Sequence, residues 1–147
     1  MNSVLLSLSL LFTLYYCLKC CPCIKKTQEE KFCDADTVLL IKINWVKENR
    51  NNDTVEYTVH VKEVFSGSAN NAIIRVKAPM SERRCGIIFR LGSIHAIEVV
   101  KERTFFFTNN CLFHEDWTNA TNYIKTRISN ILPHKLCKKI KRPKQNN

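Results

Sequence analysis

Residues 37–65 read TVLLIKINWVKENRNNDTVEYTVHVKEVF, two apolar, β-branched runs joined by a polar hinge. In the second run Val55, Tyr57, Val59 and Val61 alternate with Glu56, Thr58, His60 and Lys62. A period of two is the mark of a strand with one face buried. The hinge, Asn49-Arg50-Asn51-Asn52-Asp53, is made of residues that favour turns. The stretch therefore predicts two strands, 37–46 and 54–65, meeting at a turn. Working outward, similar composition predicts strands at 72–78 and 87–91, continued by 93–100 and 103–108. Ser66-Gly67-Ser68 with Asn70-Asn71, the segment 79–85 and Gly92 separate them. No helix-length crossover intervenes. The expectation is an all-β domain with flanking helices, its five or six antiparallel strands closed into a small barrel.

Two segments leave the strand rhythm. Lys25 to Lys31 is polar and free of Gly and Pro, which predicts a short helix ahead of Cys33. Between 118 and 131, Ala120, Tyr123, Ile124, Ile128 and Ile131 recur at helical spacing, with Asp116 and Thr118 as candidate caps and Pro133 as a stop. This helix is expected to pack on the barrel wall. Residues 135–144 hold six Lys or Arg, and 138–147 are expected to trail away as a solvated basic tail.

At the other end, Val4 to Leu18 carry no charge, which reads as the apolar part of a signal peptide spanning 1–20. The run is short for a bilayer span, which takes about 20 residues. The expected product is secreted and extracellular, with one domain at 21–137. Of eight cysteines, at 17, 20, 21, 23, 33, 85, 111 and 137, six lie beyond the cut, an even set that suggests three disulfides. A bridge between Cys21 and Cys23 would strain disulfide geometry, so each is expected to staple the N-terminus to a distant segment. Spacing alone still leaves about 15 pairings open. The chain has 23 Lys and Arg against 13 Asp and Glu. That surplus favours acidic partners such as sulfated glycosaminoglycans, with heparan sulfate expected at the tail; nucleic acid is not expected of an exported protein.

Nothing in the chain suggests catalysis. His60, His95, His114 and His134 lie far apart with no paired metal-ligand spacing, and no Ser-His-Asp, Cys-His or paired-carboxylate arrangement is apparent. The run Phe105, Phe106, Phe107 reads as a strand whose alternate members face the core. No enzyme activity and no cofactor of its own are expected. Asn52-Asp53-Thr54 and Asn119-Ala120-Thr121 match the N-glycosylation acceptor pattern, the first in a predicted loop.

The remaining motif is Cys21-Pro22-Cys23 directly behind the leader, followed by Phe32-Cys33-Asp34-Ala35-Asp36. Tyr57 to Val64 with Phe65-Ser66-Gly67, then Ala78-Pro79 ahead of Cys85-Gly86, then Cys111, Trp117 and Cys137 complete the order. Over residues 21–137 this resembles the N-terminal, netrin-like domain of the tissue inhibitors of metalloproteinases. The resemblance implies an OB-fold barrel and the disulfides Cys21–Cys85, Cys23–Cys111 and Cys33–Cys137. It also implies a mechanism. The zinc of an extracellular metalloprotease holds three protein ligands and a water, and the free α-amine and carbonyl of Cys21 would displace that water. An α-amine has a pKa near about 8 and is partly neutral at physiological pH, whereas a Lys ammonium is not.

The same resemblance directs Pro22 toward the protease's first primed pocket, with Cys23, Ile24 and the segment Met80, Ser81, Glu82, Arg83, Arg84 widening the contact ridge. The best-known members carry Ser or Thr where this chain has Pro22, which fixes φ and removes a donor, so a shifted protease spectrum is expected. The second six-cysteine domain of vertebrate members is not expected. The implied partners are extracellular zinc metalloproteases of the matrix metalloproteinase or ADAM type, met by a monomer. The rival reading is a non-inhibitory netrin-like module that binds matrix, glycosaminoglycan or a receptor.

Overall fold

The computed structural model describes residues 21–137; the expected leader, 1–20, and the basic tail, 138–147, lie outside the described residues. A short helix α1 (Gln28–Asp34) leads into strands β1 (Val38–Asn49), β2 (Thr54–Ser66) and β3 (Ile73–Pro79). After a long irregular stretch come β4 (Ile94–Glu98), β5 (Val100–Lys101), β6 (Phe106–Phe107) and β7 (His114–Asp116). A helix α2 (Asn122–Thr126) then continues into a wider helical segment, Arg127–Leu136. The seven strands form one sheet in the order β5-β6-β3-β2-β1-β4-β7.

The long pair β1–β2 organises everything else. Asp53, in the left-handed region at φ 50°, closes its turn, and Thr54 pairs with Asn49. Three register shifts, beside Val38, Leu40 and Ile43, mark bulges in the ladder. Bulges increase local twist, and here they curl the sheet into a half-barrel. Leu39, Ile41 and Ile43 of β1 then face Val55, Tyr57 and Val59 of β2 and Ile74, Val76 and Ala78 of β3 in an inner core. Val38 and Leu40 point the opposite way, into a second core with Phe32, Cys33, Ala96, Phe113, Ile128 and Leu132. Being covered on both faces explains why β1 opens on an uninterrupted apolar run.

Several expectations are corrected. The sheet is not a closed barrel: it ends at β5 and β7, and among the described residues no ladder joins these edges. Instead β4 and β5, separated by Val99 alone, pair with β1 and with β6 respectively. One chain segment thus reaches both sides of the seam without a hydrogen-bonded ladder across it. The sheet is not purely antiparallel either, because β3 and β6 run parallel. Residues 87–91 form no strand; Phe89 is anchored by its side chain in the inner core, with its N–H donating to the Tyr57 hydroxyl at 3.0 Å. β7 is a strand that alternation does not reveal.

The helices also differ in their ends. α1 is set by a capping box, Thr27 with Glu30, and includes Cys33 rather than stopping before it. α2 is capped by Thr121, not by Asp116 or Thr118. Asp116 lies in β7, and the Thr118 hydroxyl accepts from Ile94 N–H at 3.0 Å. Pro133 does not stop the helix. The turn widens around it, and the N–H of Cys137 bonds five residues back to Leu132 O, so helical hydrogen bonding resumes beyond the proline. Tyr123 faces solvent and receives a hydrogen bond from Arg127. Among the described residues no helix is long and apolar enough to cross a membrane.

Candidate functional site

The N-terminal segment of the described chain is bolted to the sheet by two bridges. Cys21 is joined to Cys85 and Cys23 to Cys111, with Cα separations of 5.1 and 5.2 Å. The four sulfur atoms lie within 4.8 Å of one another, so the two bridges form a single knot. Pro22 sits between them as the centre of a three-residue turn, in which Cys23 N–H donates to Cys21 O at 3.0 Å. Proline's fixed φ suits this turn, which gives the residue a local structural role. Pro22 is exposed, and Ile24 has 76% of its surface free. A carbonyl oxygen has two lone pairs, so Cys21 O retains one for another partner.

The segment Met80–Arg84 lies next to this knot because Cys85 ends it. Ser81 opens a single helical turn, Glu82–Arg84, and Cys85 closes it in the left-handed region at φ 61°, its N–H on Glu82 O. The β1–β2 turn braces the segment from the side. Asp53 O accepts from Met80 N–H at 3.1 Å, and the Asp53 carboxylate accepts from the Ser81 hydroxyl. Arg84 donates to Asn52 O at 3.0 Å and lies 3.9 Å from the Asp53 carboxylate. Glu82, Arg83 and Arg84 are exposed, while Met80 and Ser81 are half-buried.

A third loop completes the platform. Asn110 N–H donates to Cys85 O at 2.8 Å, and the Asn109 side chain accepts from Cys111 and Leu112 N–H at 2.9 and 3.2 Å. This Asx-type turn presents Cys111 to Cys23. Cys21 and Cys23, with Pro22 between them, are therefore held to Cys85 at the end of the braced segment Met80, Ser81, Glu82, Arg83, Arg84 and to Cys111, and Ile24 follows directly on the second bridge. Cys33–Cys137, with a Cα separation of 4.9 Å, is remote from it and fastens α1 to the C-terminal helical segment.

Two supporting parts escape a reading of the residues alone. Asp53 and Asn52 enter as braces of the ridge, although Asn52 attracts notice only as a glycosylation acceptor. Asn109 was signalled by nothing beyond its turn-forming chemistry. The two acceptor asparagines differ in setting: Asn52 is exposed beside Arg84, whereas the Asn119 amide donates to Asp116 at 2.8 Å. That bond holds the Asp116 carboxyl below its ordinary range.

Ser93, His95 and Asp116 share a cleft elsewhere, and their grouping needs a chemical test. The Ser93 hydroxyl lies 2.7 Å from His95 Nε2, but it also lies 2.5 Å from Arg90 O. A carbonyl can only accept, so the single hydroxyl proton is committed to Arg90 and His95 Nε2 acts as donor to Ser93. An imidazole so placed does not activate that hydroxyl as a base.

The chain matches the family model described as tissue inhibitor of metalloproteinase over residues 19–142. A search of curated proteins returns no match.

Proposed function

The chain belongs to the tissue inhibitor of metalloproteinase family, and from that premise we propose that it is a secreted inhibitor acting through a processed N-terminus at Cys21. In this reading the α-amine and carbonyl of Cys21 ligate the catalytic zinc of a target metalloendopeptidase, expelling its water. Pro22 enters the first primed pocket, and Cys23, Ile24 and Met80–Arg84 cover the flanking cleft. The zinc belongs to the protease; the inhibitor contributes rigidity. A chain terminus is ordinarily mobile, and freezing it in advance removes the ordering cost that binding would otherwise carry. The observation that carries the reading is the double tether of Cys21 and Cys23 to Cys85 and Cys111, beside a ridge braced by Asp53. The exposure of Pro22 and Ile24 supports it further. The parallel β3–β6 pair and the segment shared by β4 and β5 also favour an OB-type scaffold, opened along one seam.

The test is chemical. Protein with its N-terminus at Cys21 is titrated against matrix and disintegrin-type metalloproteases, beside a variant carrying one Ala ahead of Cys21 and a sample with the amine carbamylated. Both modified forms are expected to keep their thermal midpoint and lose inhibition by at least about 1,000-fold, the loss of roughly 4 kcal/mol of zinc coordination. Equal inhibition by a folded, extended variant refutes chelation. Absence of inhibition by the unmodified protein across the panel favours the non-inhibitory netrin-like alternative.

A further inference from the structure

The knot formed by the two N-terminal bridges brings together four sulfur donors and no other ligand type. The Cys21 Sγ lies 3.3 Å from the Sγ of Cys111 and 3.4 Å from that of Cys23, across the two bridges, and all four sulfurs fall within 4.8 Å of one another. A tetrahedral zinc with bonds of about 2.3 Å to four thiolates sets its sulfurs about 3.8 Å apart. The separations between the bridges bracket that edge, so the thiols of the reduced chain need little movement to surround one ion. Two of the cysteines are placed by hydrogen bonds that do not involve sulfur. Cys85 N–H donates to Glu82 O at 3.1 Å, Cys85 O accepts from Asn110 N–H at 2.8 Å, and Cys111 N–H donates to the Asn109 side chain at 2.9 Å. Cys85 and Cys111 therefore stay side by side when the sulfurs part. Cys21 and Cys23 flank Pro22 in one turn, closed by Cys23 N–H on Cys21 O, and offer a pair of ligands from a single short segment.

We propose that the reduced form of this knot is a zinc site with Cys21, Cys23, Cys85 and Cys111 as its ligands. The donors set the class of metal: thiolates in a tetrahedral array suit zinc, whereas calcium and magnesium take oxygen. A dithiol reductant passes two electrons and two protons to each bridge and leaves as its own disulfide. Zn2+ then takes the sulfurs as thiolates and displaces their protons. Four thiolates leave an excess of negative charge around the ion, which Arg83 and Arg84, directly ahead of Cys85, help to offset. Zinc and the bridges are thus alternative clamps on one turn: oxidation expels the ion, and reduction in its presence keeps the N-terminal segment against the sheet. This ion is separate from the one in a target protease, and the site does not depend on inhibition.

The probes are Zn2+ and Co2+, added without oxygen to the full processed chain after reduction by a phosphine, which ends as the phosphine oxide. One ion per chain is expected, with cobalt giving the intense visible absorption of a tetrahedral thiolate site. Cys85→Ser and Cys111→Ser should each weaken binding by at least about 100-fold, whereas Cys33→Ser/Cys137→Ser should change it by less than about threefold. Concentrated urea should weaken binding by at least about 100-fold, because the unfolded chain does not place Cys85 beside Cys111. In the unaltered reduced chain, zinc should shield Cys21, Cys23, Cys85 and Cys111 from alkylation while Cys33 and Cys137 react, a map that requires no variant to fold. The oxidised chain should bind no cobalt in this way. Absence of the thiolate absorption, shielding of Cys33 and Cys137 in place of the knot, or equal affinity in urea or in the oxidised chain would each overturn the proposal. Inhibition is titrated on the oxidised protein, so either result stands without the other.

Discussion

Gly86 shows how one missing methyl group shapes the ridge. A Cβ there would stand 2.5 Å from Met80 O and 2.7 Å from Ser81 O, both backbone atoms that no rotamer change can move aside. Its N–H closes the loop onto Ser81 O at 2.9 Å. Cys85 beside it is a non-glycine residue in the left-handed region, a conformation that costs about 1–2 kcal/mol and is held here by the bridge to Cys21. Gly86→Ala is expected to cost about 1–3 kcal/mol and to displace the segment Met80–Arg84. Inhibition should then weaken by more than the small fraction of unfolded protein explains. Thermal melts and inhibition constants measured together check this, with Gly92→Ala as control: Gly92 has φ 79° but open space around it. Equal inhibition constants for Gly86→Ala and the parent would show that the loop's position is irrelevant. The sequence carries the Cys85-Gly86 pair in plain view. Its reason, a close backbone approach across the loop, appears only once Met80 and Ser81 are folded back on it.

Among the elements, β2 and β3 were legible because their alternation is strong and one face of each is buried, and β1 because its apolar, β-branched run is long and bounded by a turn. β1 extended three residues past its predicted end, since Lys47, Glu48 and Asn49 pair with β2 without being buried. The short edge strands were not legible, for two- and three-residue pairings leave no periodic trace. The stretch 87–91 misled because Phe89 packs like a strand residue without joining a ladder. That stretch also covers His95 on β4, whose ring stacks on Phe89 at 4.7 Å. Burial holds the imidazole below its ordinary pKa, opposed by Asp116 and reinforced by His114. The folded state therefore resists the proton that the unfolded chain accepts near about pH 6.5. Stability is full above that value and falls as pH drops from there through the lower, folded value. His95→Phe, which keeps a ring against Phe89, should remove this acid-side loss. Thermal midpoints from about pH 7.5 down to pH 5 measure the difference, and parallel curves for parent and variant would assign the acid sensitivity to other groups.

At the scale of the whole molecule, the two cores divide the labour between the bridges. The inner core and the ridge are served by Cys21–Cys85 and Cys23–Cys111, whereas Cys33–Cys137 lies with Phe32, Phe113, Ile128 and Leu132 in the outer core. Cysteine count and spacing point to three bridges but do not distinguish their roles, because the two-core arrangement depends on β1 being covered from both sides. Cys33–Cys137 spans 104 residues of sequence, and the chain-entropy relation assigns such a closure about 4–5 kcal/mol. Cys33→Ser/Cys137→Ser is accordingly expected to lower stability by about that amount, since Cys33 is 2% exposed and its replacement also buries a hydroxyl. The ridge makes no use of this bridge. At a temperature where the variant remains folded, its inhibition constants should match the parent's within about threefold, a difference below 1 kcal/mol. Cys21→Ser/Cys85→Ser should behave in the opposite sense, keeping more stability, because its 64-residue closure is shorter, while inhibition collapses with the loss of the N-terminal tether. Denaturant melts paired with inhibitor titration separate the two. Loss of inhibition on removing Cys33–Cys137 from a still-folded protein would mean that the outer core positions the ridge after all.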